Sequence, residues 1–219
     1  MPKQQKNKKY MVFEYLRKRI IDSSIPPGFP ISEGDLAEEL GVSKTPIREA
    51  LRQLEKDGLV QNTPGRGSNV TNISSRDISE VFQLREIIEC GAAKRAALLP
   101  DKDKIIEKRK EVQQLTLNKQ RMSENVYEWG AGDDIHLCIV NSLGNHKLTD
   151  VYQGLLDQIR RIRIHIGKKF TQRRFDEITD EHLAILDSII EGNSDSAEQM
   201  MYKHLNNAVI YISGIVTGY

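Results

Sequence analysis

The residues best suited to chemistry lie between Gly41 and Leu54, a stretch that combines a turn, a helix start and several cations. Its apolar residues keep helical spacing at Ile47, Leu51 and Leu54, which predicts one buried stripe. The opposite side carries polar and basic side chains: Lys44, Thr45, Arg48 and Arg52. Such side chains at a helix N-terminus suit phosphate oxygens and guanine edges in the major groove of DNA. An ordinary amphipathic helix with a solvated charged face would show the same pattern.

A second candidate is Gly65-Arg66-Gly67, in which one cation stands between two glycines. Because the neighbours of Arg66 have no side chains, its guanidinium could enter a narrow minor groove without obstruction. We therefore place Arg66 and Gly67 among the predicted DNA contacts. A plain hairpin turn that exposes one arginine is the alternative for this segment.

Short elements must position these two candidates. Gly41 can take the left-handed conformation that ends a helix, and Ser43 or Thr45 can cap the next one. Apolar periods and turn residues predict three helices and a β-hairpin, over residues 9–23, 32–40, 43–57 and 59–73. We expect a winged helix-turn-helix over residues 9–74.

After Ser74 every apolar pattern has the helical period, and no strand pattern is found. Six helices are predicted, over residues 75–100, 102–121, a third that ends before Leu143, then 147–168, 175–191 and 194–215. The second domain, residues 75–219, is therefore expected to be an all-α six-helix bundle, and the fold class is mainly α.

The composition restricts the classes of function. The first 75 residues hold 12 Lys/Arg and 9 Asp/Glu, whereas the whole chain of 219 residues has a net charge of only +1. This excess favours an anionic partner for the N-terminal domain. Residues 1–8 are basic, lack apolar anchors and are expected to be a disordered tail. No secretory signal or membrane span is apparent, and Cys90 and Cys138 are expected to be reduced core residues, so we expect a cytoplasmic protein.

An extended run of residues resembles the GntR family of bacterial transcriptional regulators. The resemblance covers Ile31-Ser32-Glu33, then residues 36–51, then Gly58-Leu59-Val60 and the Gly65-Arg66-Gly67 turn. The sequence departs from the family at Lys44, where arginine is usual, and at Gly34, where some members carry a DNA-contacting arginine. Lysine lacks the bidentate fork of arginine, so we expect Lys44 to contact phosphate or to read guanine less strictly.

The helical part resembles the FCD ligand-binding domain of the FadR-like branch of that family. The matching segments are residues 84–89, His136 with residues 142–145, Glu181-His182 and Lys203-His204-Leu205. The resemblance implies a DNA-binding regulator, not an enzyme.

A divalent metal ion is a further implication of this resemblance, because many relatives bind one through an aspartate and three histidines. The matching histidines are His136, His182 and His204, and their spacing alone would not have indicated a site. The usual aspartate position holds Gly132, so Asp133 is the substitute, since it would face the same side of a helix as His136. We expect zinc, with nickel, manganese and iron as alternatives.

The resemblance also implies a small organic acid as effector, bound beside the metal. Arg85 and Asn145 are the predicted effector contacts, and for Arg85 the alternative is an ordinary ion pair with Glu89 one helical turn away. The implied assembly is a homodimer on a palindromic operator, a repressor that the effector releases from DNA. Two other functions stay open: a direct metal sensor and a metal-dependent hydrolase.

Overall fold

The structure is a computed structural model that describes residues 2–63, 65, 67–117, 130–167 and 171–217. Within these ranges only the backbone is described for residues 2–7, 115–117, 130–134, 166–167 and 215–217. The chain divides into two compact units, Met1–Ser74 with Arg160–Ile164, and Ser75–Ile159 with His165–Tyr219.

The first unit contains three helices and a small antiparallel sheet. In chain order its elements are α1 (Pro2–Ile21), β1 (Pro30–Ile31), α2 (Glu33–Leu40), α3 (Lys44–Lys56), β2 (Val60–Thr63) and β3 (Gly67–Val70). The strand order is β1-β3-β2, with Val60 opposite Val70 in the hairpin. This arrangement confirms the predicted winged helix-turn-helix. The two-residue strand β1 was not predicted, because so short a strand leaves no alternating pattern to detect.

The prediction of a disordered tail over residues 1–8 is corrected, because helix α1 already begins at Pro2. Proline is tolerated in the first turn of a helix, and the lysines and glutamines that follow it have high helix propensity. Residues 1–8 lack apolar anchors, but the rest of helix α1 packs into the core through Val12, Leu16 and Ile20.

Apolar faces of α1 and α3 form the core of the first unit. Fully buried members include Val12, Leu16 and Ile20 from α1, Ile47, Leu51 and Leu54 from α3, and Val60 and Val70 from the sheet. The turn between α2 and α3 is as predicted, since Gly41 has φ 61°. At the start of α2, Ser32 Oγ accepts a hydrogen bond from the Asp35 amide, which confirms the predicted cap. Ser43 is the N-cap of α3, but its side chain makes no capping hydrogen bond.

The second unit is an all-α bundle, as predicted. Its helices are α4 (Ser75–Arg85), α5 (Gly91–Ala97), α6 (Asp103–Leu117), α7 (Gly130–Ser142), α8 (His146–Gly167), α9 (Gln172–Ile190) and α10 (Ser194–Thr217). A π-helical segment, Glu86–Cys90, joins α4 to α5, so the predicted first helix is one run with a wider turn inside it. Helix α9 packs against α6 and α10. Of the helices in the described ranges, none combines the length and the apolar character that a membrane span requires.

Candidate functional site

The exposed face of α3 carries the basic residues predicted to contact DNA. Lys44, Thr45, Arg48 and Arg52 are all exposed, whereas Ile47, Leu51 and Leu54 are buried beneath them. The Nε atom of Arg48 donates a hydrogen bond to Glu33 at 2.8 Å, in a pair whose arginine side chain is 60% exposed. An ion pair so open to solvent is weak, so a phosphate or a base edge can replace the glutamate.

The hairpin is fixed to α3 by its own polar contacts. The backbone and side-chain amides of Asn62 donate to the two carboxylate oxygens of Glu55, at 3.1 and 2.6 Å. Gly65 and Gly67 have φ values of 76° and 83°, a conformation that favours glycine. Gly67 is exposed, while Arg66 lies outside the described residues. Strand β2 is therefore held against the basic helix by Asn62.

Three histidines from three helices converge inside the bundle. His136 on α7, His182 on α9 and His204 on α10 are buried, and they offer ligand atoms within 4.8 Å of one another. Their ring centroids lie 5.3, 5.1 and 4.6 Å apart. Imidazoles that converge in this way suit zinc and neighbouring transition metals. The structure thus brings together residues that the sequence separates by 46 and 22 positions.

A buried carboxylate lies against His136. Glu89, in the π-helical segment, has Oε2 at 2.7 Å from His136 Nδ1. Its Oε1 accepts hydrogen bonds from Arg85 Nε and from the Tyr152 hydroxyl, both at 2.8 Å. Burial opposes the charged form of Glu89, but the charge of Arg85 and the hydrogen bonds of Arg85 and His136 hold its pKa well below the usual range. Glu89 is therefore a fully ionised group within the bundle.

A second carboxylate lies against His204. Glu181 Oε2 is 2.7 Å from His204 Nδ1, and Oε1 accepts from Arg174 Nη1 at 3.1 Å and Asn207 Nδ2 at 2.8 Å. Burial opposes ionisation, but hydrogen bonds from His204 and Asn207 lower the pKa of Glu181 to about 2. Burial lowers the pKa of His204 to about 4, even though its hydrogen bond to Glu181 acts in the opposite direction. His204 is therefore neutral near pH 7, which is the form that binds metals.

Two predicted residues are only partly tested by this geometry. Asp133 lies on α7, but its side chain is outside the described residues. Arg85 is 2% exposed and donates to both carboxylate oxygens of Glu89, so the ion pair considered as its alternative role is present.

Asn145 caps the start of helix α8. Its side chain is exposed, and Oδ1 accepts a hydrogen bond from the Leu148 amide in the first turn of α8. Asparagine is a favoured residue at this position because its oxygen satisfies an amide that has no partner within the helix. The structure therefore gives Asn145 a capping role, and its contact with an effector stays a prediction.

Comparison with known protein families shows what kind of protein contains these two sites. Residues 80–207 match the FCD domain family, and residues 8–70 match the family described as bacterial regulatory proteins, gntR family. The chain belongs to the gntR family. As a member of it, the protein is a DNA-binding transcriptional regulator and not an enzyme, and these matches give the hydrolase alternative no support.

Individual relatives agree over most of their length. The chain is 27% identical over 197 residues to the uncharacterized HTH-type transcriptional regulator YdhC of Bacillus subtilis (strain 168), covering 89% of this chain and 86% of that protein. It is 26% identical over 202 residues to the HTH-type transcriptional repressor RspR of Escherichia coli (strain K12), covering 89% and 84%. The crystal structure of a GntR regulator from Rhodococcus sp. RHA1 has the same fold, with a TM-score of 0.77, 23% identity and coverage of 95% and 98%.

Proposed function

We propose that this gntR-family member is a metabolite-responsive repressor whose effector is a small carboxylate, bound beside a divalent metal ion in the helical unit. The observation that carries the proposal is the convergence of His136, His182 and His204 in a buried cluster. A relative of similar length is named as a repressor, which supports the same direction of control here.

The donor set supports a transition metal at the cluster. Three imidazole nitrogens favour zinc, with nickel, manganese and iron as alternatives, and Asp133 is the proposed carboxylate ligand. Bound there, the ion would act as a Lewis acid that holds an anionic oxygen in a site closed to bulk water. The histidines would hold the metal, and Glu89 and Glu181 would orient two of them.

The charge balance of the described side chains supports an anionic effector. Glu89 is paired with Arg85, and the partly exposed Glu181 is paired with Arg174, which also contacts Glu177. Paired in this way, Glu89 contributes no net charge that would balance a metal ion. The three imidazoles are uncharged when they bind a metal. A carboxylate beside the metal would balance that charge, and Arg85 is the proposed second contact for it.

The DNA-binding part of the proposal rests on the exposed surface of the first unit. Lys44, Thr45, Arg48 and Arg52 would enter the major groove, and Arg66 and Gly67 would approach the minor groove. We propose a cytoplasmic homodimer on a palindromic operator. The helical run from α4 to α5 exposes three large apolar residues, Leu84, Ile87 and Leu98. These exposed residues support a second copy of the chain as the partner that covers them.

The metal site is tested by the metal content of purified protein, measured by mass spectrometry after reconstitution with zinc and removal of free ion. We expect about one metal ion per chain in the wild type and a loss of most of it in His182→Ala. His146→Ala is the matched control, because His146 is exposed and should leave the metal content unchanged. A wild-type protein that retains no metal would contradict the proposed site.

A further inference from the structure

Two of the three clustered histidines are each part of a chain of three side chains, all of them buried except the partly exposed Glu181. In both chains an arginine contacts a glutamate, and that glutamate contacts Nδ1 of the histidine. We name them the α7 triad, Arg85, Glu89 and His136, and the α10 triad, Arg174, Glu181 and His204. The two triads share no residue and come from different helices, yet they present the same chemistry to one cluster.

We propose that Glu89 and Glu181 are positioning residues of the metal centre, which fix the tautomer and the ring orientation of His136 and His204. This inference rests on the proposed metal site. Each glutamate would keep the proton of its histidine on Nδ1, so that Nε2 carries the lone pair that faces the cluster. The arginines hold the carboxylates in place.

In the α10 triad, the two carboxylate oxygens of Glu181 have different partners. Its Oε1 is the acceptor for both Arg174 and Asn207, whereas Oε2 is the oxygen that faces His204 Nδ1 at 2.7 Å. An ionised carboxylate can only accept, so Nδ1 must be the donor. A neutral imidazole has a single N–H, and its other nitrogen, Nε2, is then available to a metal.

Glu89 is shared differently between its neighbours in the α7 triad. Its Oε1 accepts from Arg85 Nε and from the Tyr152 hydroxyl, while its Oε2 accepts from Arg85 Nη2 at 3.3 Å and lies 2.7 Å from His136 Nδ1. All four side chains are at most 2% exposed. Water does not compete for these groups, and an ionised Glu89 presents only acceptor atoms to His136.

A purely structural role for the triads would be to join the helices through buried ion pairs. The structural role and the positioning role predict different effects of Glu181→Gln on the protonation of His204. Arg174 and Asn207 both need an acceptor, so the amide oxygen of the glutamine will take the Oε1 position and its NH2 group will face His204 Nδ1. That nitrogen must then accept, and the proton moves to Nε2, where it blocks metal binding.

The experiment uses full-length protein labelled with ¹⁵N-histidine, and it has two readouts. Long-range ¹H–¹⁵N correlation spectra of the metal-free protein report the tautomer of each histidine, and chelator competition with zinc reports the affinity. We expect His204 to change from the Nδ1–H to the Nε2–H form in Glu181→Gln, and zinc affinity to fall by roughly 10- to 100-fold. Glu89→Gln should do the same for His136 and is the second variant should the first not fold.

Asp187→Asn is the matched control, because it makes the same change from carboxylate to amide on α9. Asp187 pairs with Arg109 near the surface, and the substitution should leave the tautomers and the zinc affinity as in the wild type. An unchanged His204 tautomer in folded Glu181→Gln overturns the positioning role. Wild-type protein that binds no zinc overturns the metal site instead, and the two failures are distinct because the tautomer is read without metal.

Discussion

Arg48 is the single residue whose substitution best separates base reading from phosphate binding. It lies on the exposed face of α3, where its guanidinium pairs with the partly exposed Glu33. We expect Arg48→Ala to cost ~1–3 kcal/mol on the preferred operator and to relax base preference, whereas Lys44→Ala should weaken all sequences to a similar extent. Fluorescence anisotropy on operator and scrambled duplexes at one salt concentration measures both effects.

The control for Arg48 is Arg76→Ala, which removes an exposed cation from α4 instead of α3. It should change the affinity for either duplex far less. Equal losses on operator and scrambled DNA in Arg48→Ala would assign Arg48 to phosphate and contradict its role in reading bases.

Single residues also show why the site could be predicted only in part. The histidines were named through a family resemblance, since residues 46 and 22 positions apart give no local signal of a shared ligand set. Glu181 and its contact Asn207 lie on different helices, and Tyr152 reaches Glu89 from α8. The only signal available was Glu89 one turn after Arg85, which indicates an ion pair but not its burial beside a histidine.

At the scale of elements, the turn between α2 and α3 determines where the basic face begins. Gly41 has φ 61°, and a Cβ atom added there would meet no other atom within 4 Å. Gly41→Ala should therefore destabilise the protein by ~1 kcal/mol through backbone strain alone, and Gly41→Asn by less. Gly154→Ala, within α8 and also without close neighbours, should stabilise it by ~1 kcal/mol instead.

Urea unfolding midpoints, followed by circular dichroism, measure these opposite signs. A Gly41→Ala variant as stable as the wild type would show that the turn can adopt another conformation.

Most elements were predictable because buried faces leave a helical period in the sequence. The π-helical segment and β1 were not, since one wider turn and one two-residue strand alter that period too little to be seen.

At the scale of the whole molecule, the proposed metal centre and the basic helix are parts of different units, and a ligand can couple them only through a difference in affinity. An effector that binds equally well to the DNA-bound and the free protein would not change operator binding, however tightly it bound. Allosteric coupling typically changes affinity by roughly 5- to 150-fold. Release from DNA therefore requires that at least one carboxylate binds the free protein more tightly than the DNA-bound protein.

Operator affinity as a function of ligand tests this claim most directly. The duplex would be selected from random-sequence DNA, and its Kd measured with zinc-loaded protein in the presence of a panel of mono-, di- and tricarboxylates. We expect at least one of them to raise the Kd by about 10-fold, and His182→Ala to lose that response. A Kd that responds to zinc alone would identify a direct metal sensor. A Kd that no carboxylate changes, or that the effector lowers, would contradict a repressor released by its ligand.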